Sequence, residues 1–201
     1  MNIFCVGQNY AEHAKELGNE IPKEPVFFQK ASSCISKSDV IKIPGGRIIH
    51  HEIELVIILG YSGSNISIDS AISHISQWCL GLDLTDRPRQ NEMRKKGLPW
   101  FDSKSFPGSA VITEPENFNW KNIEKDFCLL NNDQEVQRGN INNMVFDVST
   151  LISRLSKIIS FKKGDMLFTG TPSGVGPISS GDVLELFSGD HMKGNFSVVK
   201  A

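Results

Sequence analysis

The stretch HHEIELVIILG at residues 50–60 constrains the fold more than any other part of this sequence. From Glu52 onward its residues are mostly β-branched or long aliphatic, which predicts a strand. Side chains of a strand alternate between two faces, so Glu52 and Glu54 share a face, whereas the run Val56–Leu59 is expected to be buried on both. Two carboxylates at the mouth of a buried strand repel each other unless something neutralises them. A hard divalent cation would do so; the alternative is a pair of solvated acids at the start of a strand.

A third carboxylate, Asp83, lies within the short apolar segment Leu80–Leu84, which also predicts a strand. A carboxylate in such a segment is costly unless it is paired with a cation or bound to a metal. Asp83 is therefore the natural partner of the acidic pair. Arg87 and Gln90 follow it by four and seven residues.

The bulk properties are those of an ordinary globular protein of 201 residues, enough for one domain over residues 1–201. A formal net charge of −2 and the lack of a long basic run argue against a nucleic-acid partner; the short run Arg94–Lys96 is interpreted as a solvated helix end. The sequence predicts neither a signal peptide nor a membrane span. The cysteines are far apart, which favours reduced thiols in the cytoplasm. They are Cys5, Cys34, Cys79 and Cys128.

A second group of polar residues lies near the N-terminus, where residues 9–18 predict a short helix that starts at Asn9 and stops at Gly18. His13 and Glu16 are three residues apart and share one face of that helix. A carboxylate beside an imidazole raises its basicity, which is the usual way to prepare a general base. An exposed surface pair is the alternative interpretation.

Two lysines lie next to aromatic residues in the sequence. Lys30 follows Phe27 and Phe28 at the end of a predicted strand. It is either a buried cation near a ligand or, more commonly, a side chain that reaches solvent. Lys104 lies between Phe101 and Phe106.

The other segments predict short strands and a few helices. Apolar residues recur with helical spacing over residues 68–78, which predicts an amphipathic helix. A hairpin is expected around the polar turn at residues 131–133, and a helix over residues 149–159. The Gly-rich segment 169–177 lacks the ending of a phosphate-binding loop. It is interpreted as a tight loop whose backbone N–H groups and Thr hydroxyls can approach a small ligand, or as a plain turn. Together these elements predict a single, mainly-β α+β domain.

Five motifs occur in the order and spacing of the fumarylacetoacetate hydrolase family. They are Asn9-Tyr10 with His13 and Glu16, His50-His51-Glu52-Ile53-Glu54-Leu55, Gly81-Leu82-Asp83-Leu84-Thr85, Lys104-Ser105-Phe106 and Thr169-Gly170-Thr171-Pro172-Ser173-Gly174-Val175-Gly176. The chain resembles the short, single-domain branch of this family, which includes acylpyruvases, fumarylpyruvate hydrolases and oxaloacetate decarboxylases. The resemblance implies a mixed β-roll of the type found in the family's C-terminal domain, a bound Mg²⁺ or Mn²⁺ ion, and a homodimer.

The resemblance also implies roles for individual residues. The implied metal ligands are Glu52, Glu54 and Asp83. The implied catalytic residues are the dyad His13 and Glu16, which handles water or a proton, and Lys104. The implied substrate-binding residues are Arg87, Gln90 and Thr171. His50 and His51 adjoin the site, but ligation by oxygen alone favours Mg²⁺ or Mn²⁺ over zinc, so neither is expected to be a ligand.

The expected substrate is a small-molecule 2-oxo acid, which offers a cation its carboxylate and its 2-keto oxygen. The favoured reaction is hydrolysis of the C3–C4 bond of a 2,4-dioxo acid, an acylpyruvate or fumarylpyruvate, to pyruvate and a carboxylic acid. In this scheme His13 and Glu16 activate water and Lys104 stabilises the developing oxyanion. Decarboxylation of oxaloacetate passes through the same enolate and is left open. So are a hydratase or isomerase acting on a 2-oxo-enoic acid of aromatic catabolism, and a non-enzymatic sensor of an oxo acid or metal, although a sensor needs no general base.

Overall fold

The computed structural model describes residues 1–16, 20–121 and 123–201, and the side chains of these residues except 13–15. Within them the chain forms sixteen strands, five α-helices and three 3₁₀ helices. The strands are β1 (Ile3–Gly7), β2 (Val26–Lys30), β3 (Ile35–Ser36), β4 (Val40–Ile43), β5 (Ile49–His51), β6 (Ile53–Leu59), β7 (Ile75–Asp83), β8 (Thr85–Asp86), β9 (Ala110–Ile112), β10 (Glu116–Asn117), β11 (Asp126–Asn131), β12 (Gln134–Asn140), β13 (Met166–Phe168), β14 (Gly176–Pro177), β15 (Val183–Ser188) and β16 (His191–Lys200). The α-helices are α1 (Ala11–Glu16), α2 (Ile68–Ala71), α3 (Arg87–Lys95), α4 (Phe101–Lys104) and α5 (Val148–Ile158), and the 3₁₀ helices are Ser32–Cys34, Ile72–His74 and Ile141–Asn143. Among the described helices, none has the length and apolar composition needed to cross a membrane.

The strands form three sheets. The largest runs in the order β2-β1-β13-β6-β7-β9-β3, with β10 also paired to β7. A five-stranded sheet has the order β12-β11-β15-β16-β4, and a three-stranded sheet the order β14-β5-β8. The pairs β1–β13, β3–β9 and β4–β16 are parallel, so the two larger sheets are mixed. The predicted class, a mainly-β α+β fold with mixed sheets and a few short helices, is confirmed.

Strand β6 lies inside the large sheet between β13 and β7, and every one of its residues is buried. This confirms the expectation that Val56–Leu59 is covered on both faces. The antiparallel register with β7 places Glu54 opposite Gly81. The backbone N–H of Asp83 donates to the carbonyl oxygen of Glu52 at 2.9 Å. The acidic residues at the start of β6 and at the end of β7 are therefore neighbours.

The prediction of a helix over residues 68–78 is correct only as far as residue 74 and wrong beyond it. Helix α2 ends at Ala71, a 3₁₀ turn follows, and strand β7 begins at Ile75. Trp78 then lies opposite Ile57 in the antiparallel ladder with β6. A short apolar segment has no decisive periodicity of its own, so pairing with a buried strand outweighs its helical spacing.

The predicted hairpin and the long helix are both present. Strands β11 and β12 pair antiparallel around a turn in which Asn132 and Asp133 have positive φ angles of 52° and 63°, a conformation that short polar side chains tolerate. Helix α5 begins at Val148, and its cap is Asp147 and not Ser149, because the side chain of Asp147 accepts the N–H of Thr150 at 2.7 Å.

The N-terminal helix is shorter than the sequence predicts. Helix α1 covers residues 11–16, and the expected stop at Gly18 lies outside the described residues. Asn9 does not act as the predicted cap. Its buried amide instead donates to the carbonyl oxygens of Phe146 and Thr169, at 3.0 and 2.8 Å, so it holds the Gly-rich loop against the start of this segment.

Candidate metal centre and active site

Three buried carboxylates meet where β6 and β7 pair. One oxygen from each of Glu52, Glu54 and Asp83 lies within 4.8 Å of the others, and the residues are at most 4 % exposed. This spacing fits a single cation. A donor set made only of carboxylate oxygens suits a hard divalent ion better than zinc. The structure therefore brings together the three residues that the sequence predicted as metal ligands.

Glu54 shows most directly that a cation fits this cluster. Burial, followed by the negative charges of Asp83 and Glu52, raises the pKa of the Glu54 carboxyl well above its ordinary value. One carboxylate oxygen accepts the backbone N–H of Gly170 at 2.7 Å. Among the described residues, no cationic side chain pairs with Glu54. A divalent ion would supply the missing positive charge and keep this carboxylate ionised.

Lys104 bridges the other two carboxylates. Its ammonium group donates to Glu52, Asp83 and the hydroxyl of Thr85, each at 2.7 Å, and it lies 4.9 Å from the centre of the Phe28 ring. Burial alone lowers the pKa of Lys104, but the attraction of Asp83 and Glu52 outweighs it and the pKa lies above its ordinary value. Because all three N–H bonds are engaged, Lys104 acts on a ligand through its charge.

Lys30 is a second buried cation in this cluster, which is the first of the two alternatives that the sequence left open. Its ammonium nitrogen lies 2.7 Å from the Asp83 carboxylate and donates to the carbonyl oxygen of Leu84 at 3.0 Å. It also donates to the backbone carbonyl of Lys104. The charge of Lys30 is neutralised by Asp83, and its hydrogen bonds fix the segment that carries Lys104.

Helix α3 places a row of polar side chains beside the acidic cluster. Asp86 caps the helix, and its first residue, Arg87, donates to the carboxylate of Glu52 and, at 2.6 Å, to the amide oxygen of Gln90. The Nε–H of Arg87 is buried without a protein partner among the described residues. Arg87 thus keeps a donor available for a ligand.

A cavity opens onto the carboxylates. Its walls include all of the predicted substrate-binding residues, two of the three acids and the lysine: Arg87, Gln90, Thr171, Glu52, Glu54 and Lys104. Arg94 also lines it and is only partly exposed, so the interpretation of residues 94–96 as a solvated helix end is wrong for Arg94. Its position seven residues after Arg87 was the available signal, because that spacing keeps both on one helix face.

The Gly-rich loop contributes to the site chiefly through Thr171. Its backbone N–H groups serve the protein's own carboxylates, since Gly170 donates to Glu54 and Gly174 donates to Glu16 at 3.2 Å. Gly170 has a φ of +102°, and a Cβ there would lie 2.7 Å from that of Asn9. The loop is therefore closely packed and holds Thr171 at the cavity wall.

The predicted dyad is described only in part. Glu16 is exposed at the end of α1 and reaches the Gly-rich loop through Gly174. The side chain of His13 lies outside the described residues. The role of His13 and Glu16 in handling a proton stays a prediction.

The two histidines that precede the acidic strand take no part in the cluster of carboxylates. His51 is buried, and its Nδ1 lies 2.8 Å from the amide oxygen of Gln137. Burial is the main cause that lowers the pKa of His51, and it lowers the pKa of His50 to about 4. Sequence reasoning missed Gln137, which lies on β12 at the back of the site.

Comparison with known proteins extends the similarity over nearly the whole chain. The family model for the C-terminal domain of fumarylacetoacetate (FAA) hydrolase matches residues 2–196. A mitochondrial oxaloacetate decarboxylase of Dictyostelium discoideum is 43% identical over 190 residues, which cover 91% of this chain and 86% of the relative. A mitochondrial oxaloacetate tautomerase of Caenorhabditis elegans is 38% identical over 202 residues, which cover 98% and 94%.

Solved structures show the same similarity in three dimensions. The fumarylpyruvate hydrolase from Pseudomonas aeruginosa, crystallised in complex with Mn²⁺ and pyruvate, superposes with a TM-score of 0.92 at 30% sequence identity. The match covers 100% of this chain and 90% of that structure.

Proposed function

This chain belongs to the fumarylacetoacetate hydrolase family, and on this premise we propose that it is a divalent-metal-dependent enzyme that interconverts the enol and keto forms of oxaloacetate. The observation that carries the proposal is the positive charge in the cavity, where Arg87, Arg94 and Lys104 surround the space next to the acidic cluster. Oxaloacetate has a second carboxylate beyond its 2-oxo acid group, so it suits a site with several cations. Simple acylpyruvates, expected from the sequence as substrates of C–C hydrolysis, have only one; fumarylpyruvate, the other expected substrate, also has two, so the charge separates oxaloacetate from simple acylpyruvates alone. Two of the relatives described above are also named for oxaloacetate.

In this proposal Glu52, Glu54 and Asp83 would hold one Mg²⁺ or Mn²⁺ ion, since carboxylate oxygens are the ligands that these hard cations prefer. When bound, the ion supplies Lewis-acid polarisation of the carboxylate and keto oxygens of a 2-oxo acid.

The residues around the cavity recognise the substrate. Arg87 and Gln90 offer N–H donors beside the acidic cluster, where the 2-oxo acid group binds, and Thr171 offers its hydroxyl to the C1 carboxylate. Arg94 lies one helical turn beyond Gln90 on the same face of α3 and pairs with the distal carboxylate. The charge of Lys104 favours negative charge on the C2 oxygen as it develops.

The reaction requires only the transfer of protons. Removal of a proton from C3 of the keto form leaves an enolate, and protonation of its C2 oxygen gives the enol; the reverse steps restore the keto form. We assign the proton transfer at C3 to His13 and Glu16, of which Glu16 accepts the backbone N–H of Gly174 in the Gly-rich loop. Burial of the cavity walls limits access of water to the enolate.

Decarboxylation of oxaloacetate is the second candidate, because it starts from the same bound substrate. It releases the distal carboxylate as CO₂. An arginine paired with that carboxylate stabilises the ground state and is lost as a partner when CO₂ forms, so it opposes the reaction. The position of Arg94 therefore favours tautomerisation over decarboxylation.

A substrate panel tests the proposal. The purified protein would be assayed with Mg²⁺, with Mn²⁺ and with a chelator, against oxaloacetate, fumarylpyruvate and acetylpyruvate, with metal alone as the control. We expect metal-dependent loss of the enol absorbance of oxaloacetate to outpace pyruvate release from any substrate. Faster release of pyruvate from fumarylpyruvate or acetylpyruvate would instead assign hydrolysis, and faster release from oxaloacetate would assign decarboxylation.

Replacing Arg94 by Met is expected to raise KM for oxaloacetate roughly tenfold, because a hydrogen-bonded charge pair with the distal carboxylate is lost. The ratio of decarboxylation to tautomerisation should rise as well. Steady-state kinetics on both products would measure this. Lys95→Met is the matched control, since it removes the same charge from an exposed side chain of the same helix. Equal effects of the two substitutions would count against a specific contact with Arg94.

The homodimer and the cytoplasmic location remain proposals. All four cysteines are buried and have free thiols, the form that a reducing compartment maintains. The two oxaloacetate relatives described above are mitochondrial proteins. Sedimentation of the purified protein would measure its oligomeric state.

A further inference from the structure

Gln137 is a buried residue of β12 whose amide uses its full hydrogen-bonding capacity. Its Nε2 donates to the hydroxyl of Thr171 and to the carbonyl oxygen of Pro172, both at 2.9 Å. Its Oε1 accepts the backbone N–H of Ile53 at 3.0 Å and lies 2.8 Å from Nδ1 of His51. A side-chain amide has two donor hydrogens and two acceptor lone pairs, so none is left over.

The partners fix the orientation of this amide. A carbonyl oxygen only accepts, so the side that faces Pro172 must be the NH₂ group. A backbone N–H only donates, so the side that faces Ile53 must be the oxygen. It follows that Nδ1 of His51 carries a hydrogen and donates to Gln137.

The orientation of Gln137 in turn decides what the hydroxyl of Thr171 can do. Because Thr171 accepts from Gln137, its own hydrogen is left to donate elsewhere. Among the described residues this hydroxyl makes no second hydrogen bond, and Thr171 lines the cavity beside Glu52 and Glu54. The hydroxyl is therefore set up as a donor toward a ligand in the cavity.

Gln137 also joins the two elements that form the site. Ile53 lies between Glu52 and Glu54 at the start of β6, and Thr171 belongs to the Gly-rich loop. The loop packs closely on β12 next to this amide: Gly174 has a φ of +93°, and a Cβ there would lie 2.2 Å from the carbonyl oxygen of Val136. The distance between the acidic strand and Thr171 is thus spanned by a single buried side chain.

We propose that Gln137 is a positioning residue that holds the hydroxyl of Thr171 as a hydrogen-bond donor to the C1 carboxylate of the bound 2-oxo acid. This inference rests on the proposed function, because it assigns the substrate carboxylate to the Thr171 side of the cavity. Gln137 itself does not contact the substrate. Its effect reaches the ligand only through Thr171.

A double-mutant cycle tests this chain of contacts. The variants are Gln137→Met, Thr171→Val and the double substitution, with Thr171→Ser as the variant that keeps the hydroxyl. Gln134→Met is the matched control, since it is the same change at an exposed position of the same strand. Binding of pyruvate in the presence of Mn²⁺ would be measured by calorimetry, alongside KM for oxaloacetate and Mn²⁺ affinity without pyruvate.

We expect Gln137→Met and Thr171→Val each to weaken pyruvate binding roughly tenfold, the loss typical of a hydrogen bond to a charged group. The double variant should bind about as weakly as either single variant, because both remove the same contact. Gln134→Met should bind within about threefold of wild type. Thr171→Ser, which keeps the hydroxyl, should bind pyruvate more tightly than Thr171→Val. Mn²⁺ affinity should change much less than pyruvate affinity.

Four results would overturn the inference. They are an absence of pyruvate binding to wild type, pyruvate binding unaffected by Gln137→Met, losses that multiply to roughly a hundredfold in the double variant, and a fall in Mn²⁺ affinity as large as the fall in pyruvate affinity. The last two would assign Gln137 a general structural role. Failure of the proposed function is distinguished from these, because it would appear as wild-type protein that binds pyruvate but does not accelerate enol–keto exchange.

Discussion

Replacement of Glu54 by Gln is expected to lower metal-dependent turnover of oxaloacetate by about 10²–10³-fold while making the metal-free protein more stable. The loss of activity follows because a proposed ligand is removed, and the Lewis-acid contribution of a bound ion is worth several kcal/mol. The gain in stability follows because Glu54 is buried against Asp83 and Glu52 with no cationic partner among the described residues. Gln keeps the shape, and its oxygen can still accept the N–H of Gly170.

The stability that Glu54→Gln gains over wild type should depend on pH. Burial and the neighbouring carboxylates raise the pKa of Glu54 in the folded protein above its unfolded value. Ionised Glu54 therefore lowers the free energy of unfolding at neutral pH, and this cost disappears as the pH falls and the carboxyl takes up its proton. The stability advantage of Glu54→Gln over wild type should be largest near neutral pH and shrink toward acidic pH. Thermal unfolding in the presence of a chelator at several pH values would measure it.

Addition of Mg²⁺ should make wild type more stable than Glu54→Gln. An ion present at 100 times its dissociation constant stabilises the state that binds it by about 2.7 kcal/mol. For a chain of this size that corresponds to a rise in Tm of roughly 5–10 °C. Wild type should show this rise and Glu54→Gln should not. A variant that still gains stability with Mg²⁺ would show that Glu54 is not a ligand, and a less stable metal-free variant would contradict the repulsion between the carboxylates.

The acidic cluster could be predicted from the sequence because it depends on local rules. Alternation along a strand puts Glu52 and Glu54 on one face, and an aspartate in an apolar strand requires a partner. Both rules hold here. The hairpin formed by β11 and β12 was predictable for the same reason, since its turn residues and flanking strands are adjacent in sequence.

Features that depend on distant contacts were not accessible in the same way. Residues 75–78 belong to the predicted helical pattern, but they lie in β7 and pair with β6, and that pairing is decided by the sheet. Lys30 follows two phenylalanines, and the sequence left open whether its side chain is buried or reaches solvent, because its partner Asp83 is brought to it by the fold. Gln137 is 86 residues from His51 and gives no local signal at all.

The residues that line the cavity could be predicted from the sequence only in part. Its recognition residues on α3 repeat with helical spacing, so Arg94 could have been grouped with Arg87 and Gln90 once the helix was predicted. The interpretation of residues 94–96 as a solvated helix end was based on the two lysines that follow Arg94. Periodicity within one helix gives the face of a side chain, but only the packing of that helix against α4 and β8 shows that the face borders a site.

Replacement of Asp83 by Ala is expected to have the opposite effect on stability from the change at Glu54, although both residues are proposed to bind the same ion. Asp83 lies 2.7 Å from Lys30 and 2.7 Å from Lys104, and all three side chains are buried. Removal of one member of a buried ion pair leaves an uncompensated charge and costs about 3–5 kcal/mol. Tm in the presence of a chelator should therefore fall by roughly 6–20 °C. Metal-dependent turnover should also be lost.

A second substitution distinguishes the effect of an unpaired buried charge from that of lost packing. In the double variant Asp83→Ala, Lys30→Met, the ammonium group that lost its partner is removed, so part of the lost stability should return. Recovery should be incomplete, because Lys30 also donates to the carbonyl oxygen of Leu84, and because Lys104 still lacks one of its carboxylates. Chemical denaturation of the wild type, the single variants and the double variant would give the coupling energy. If Asp83→Ala were as stable as Glu54→Gln, the two carboxylates would be equivalent. If the losses of stability simply added in the double variant, the lysines would not depend on Asp83.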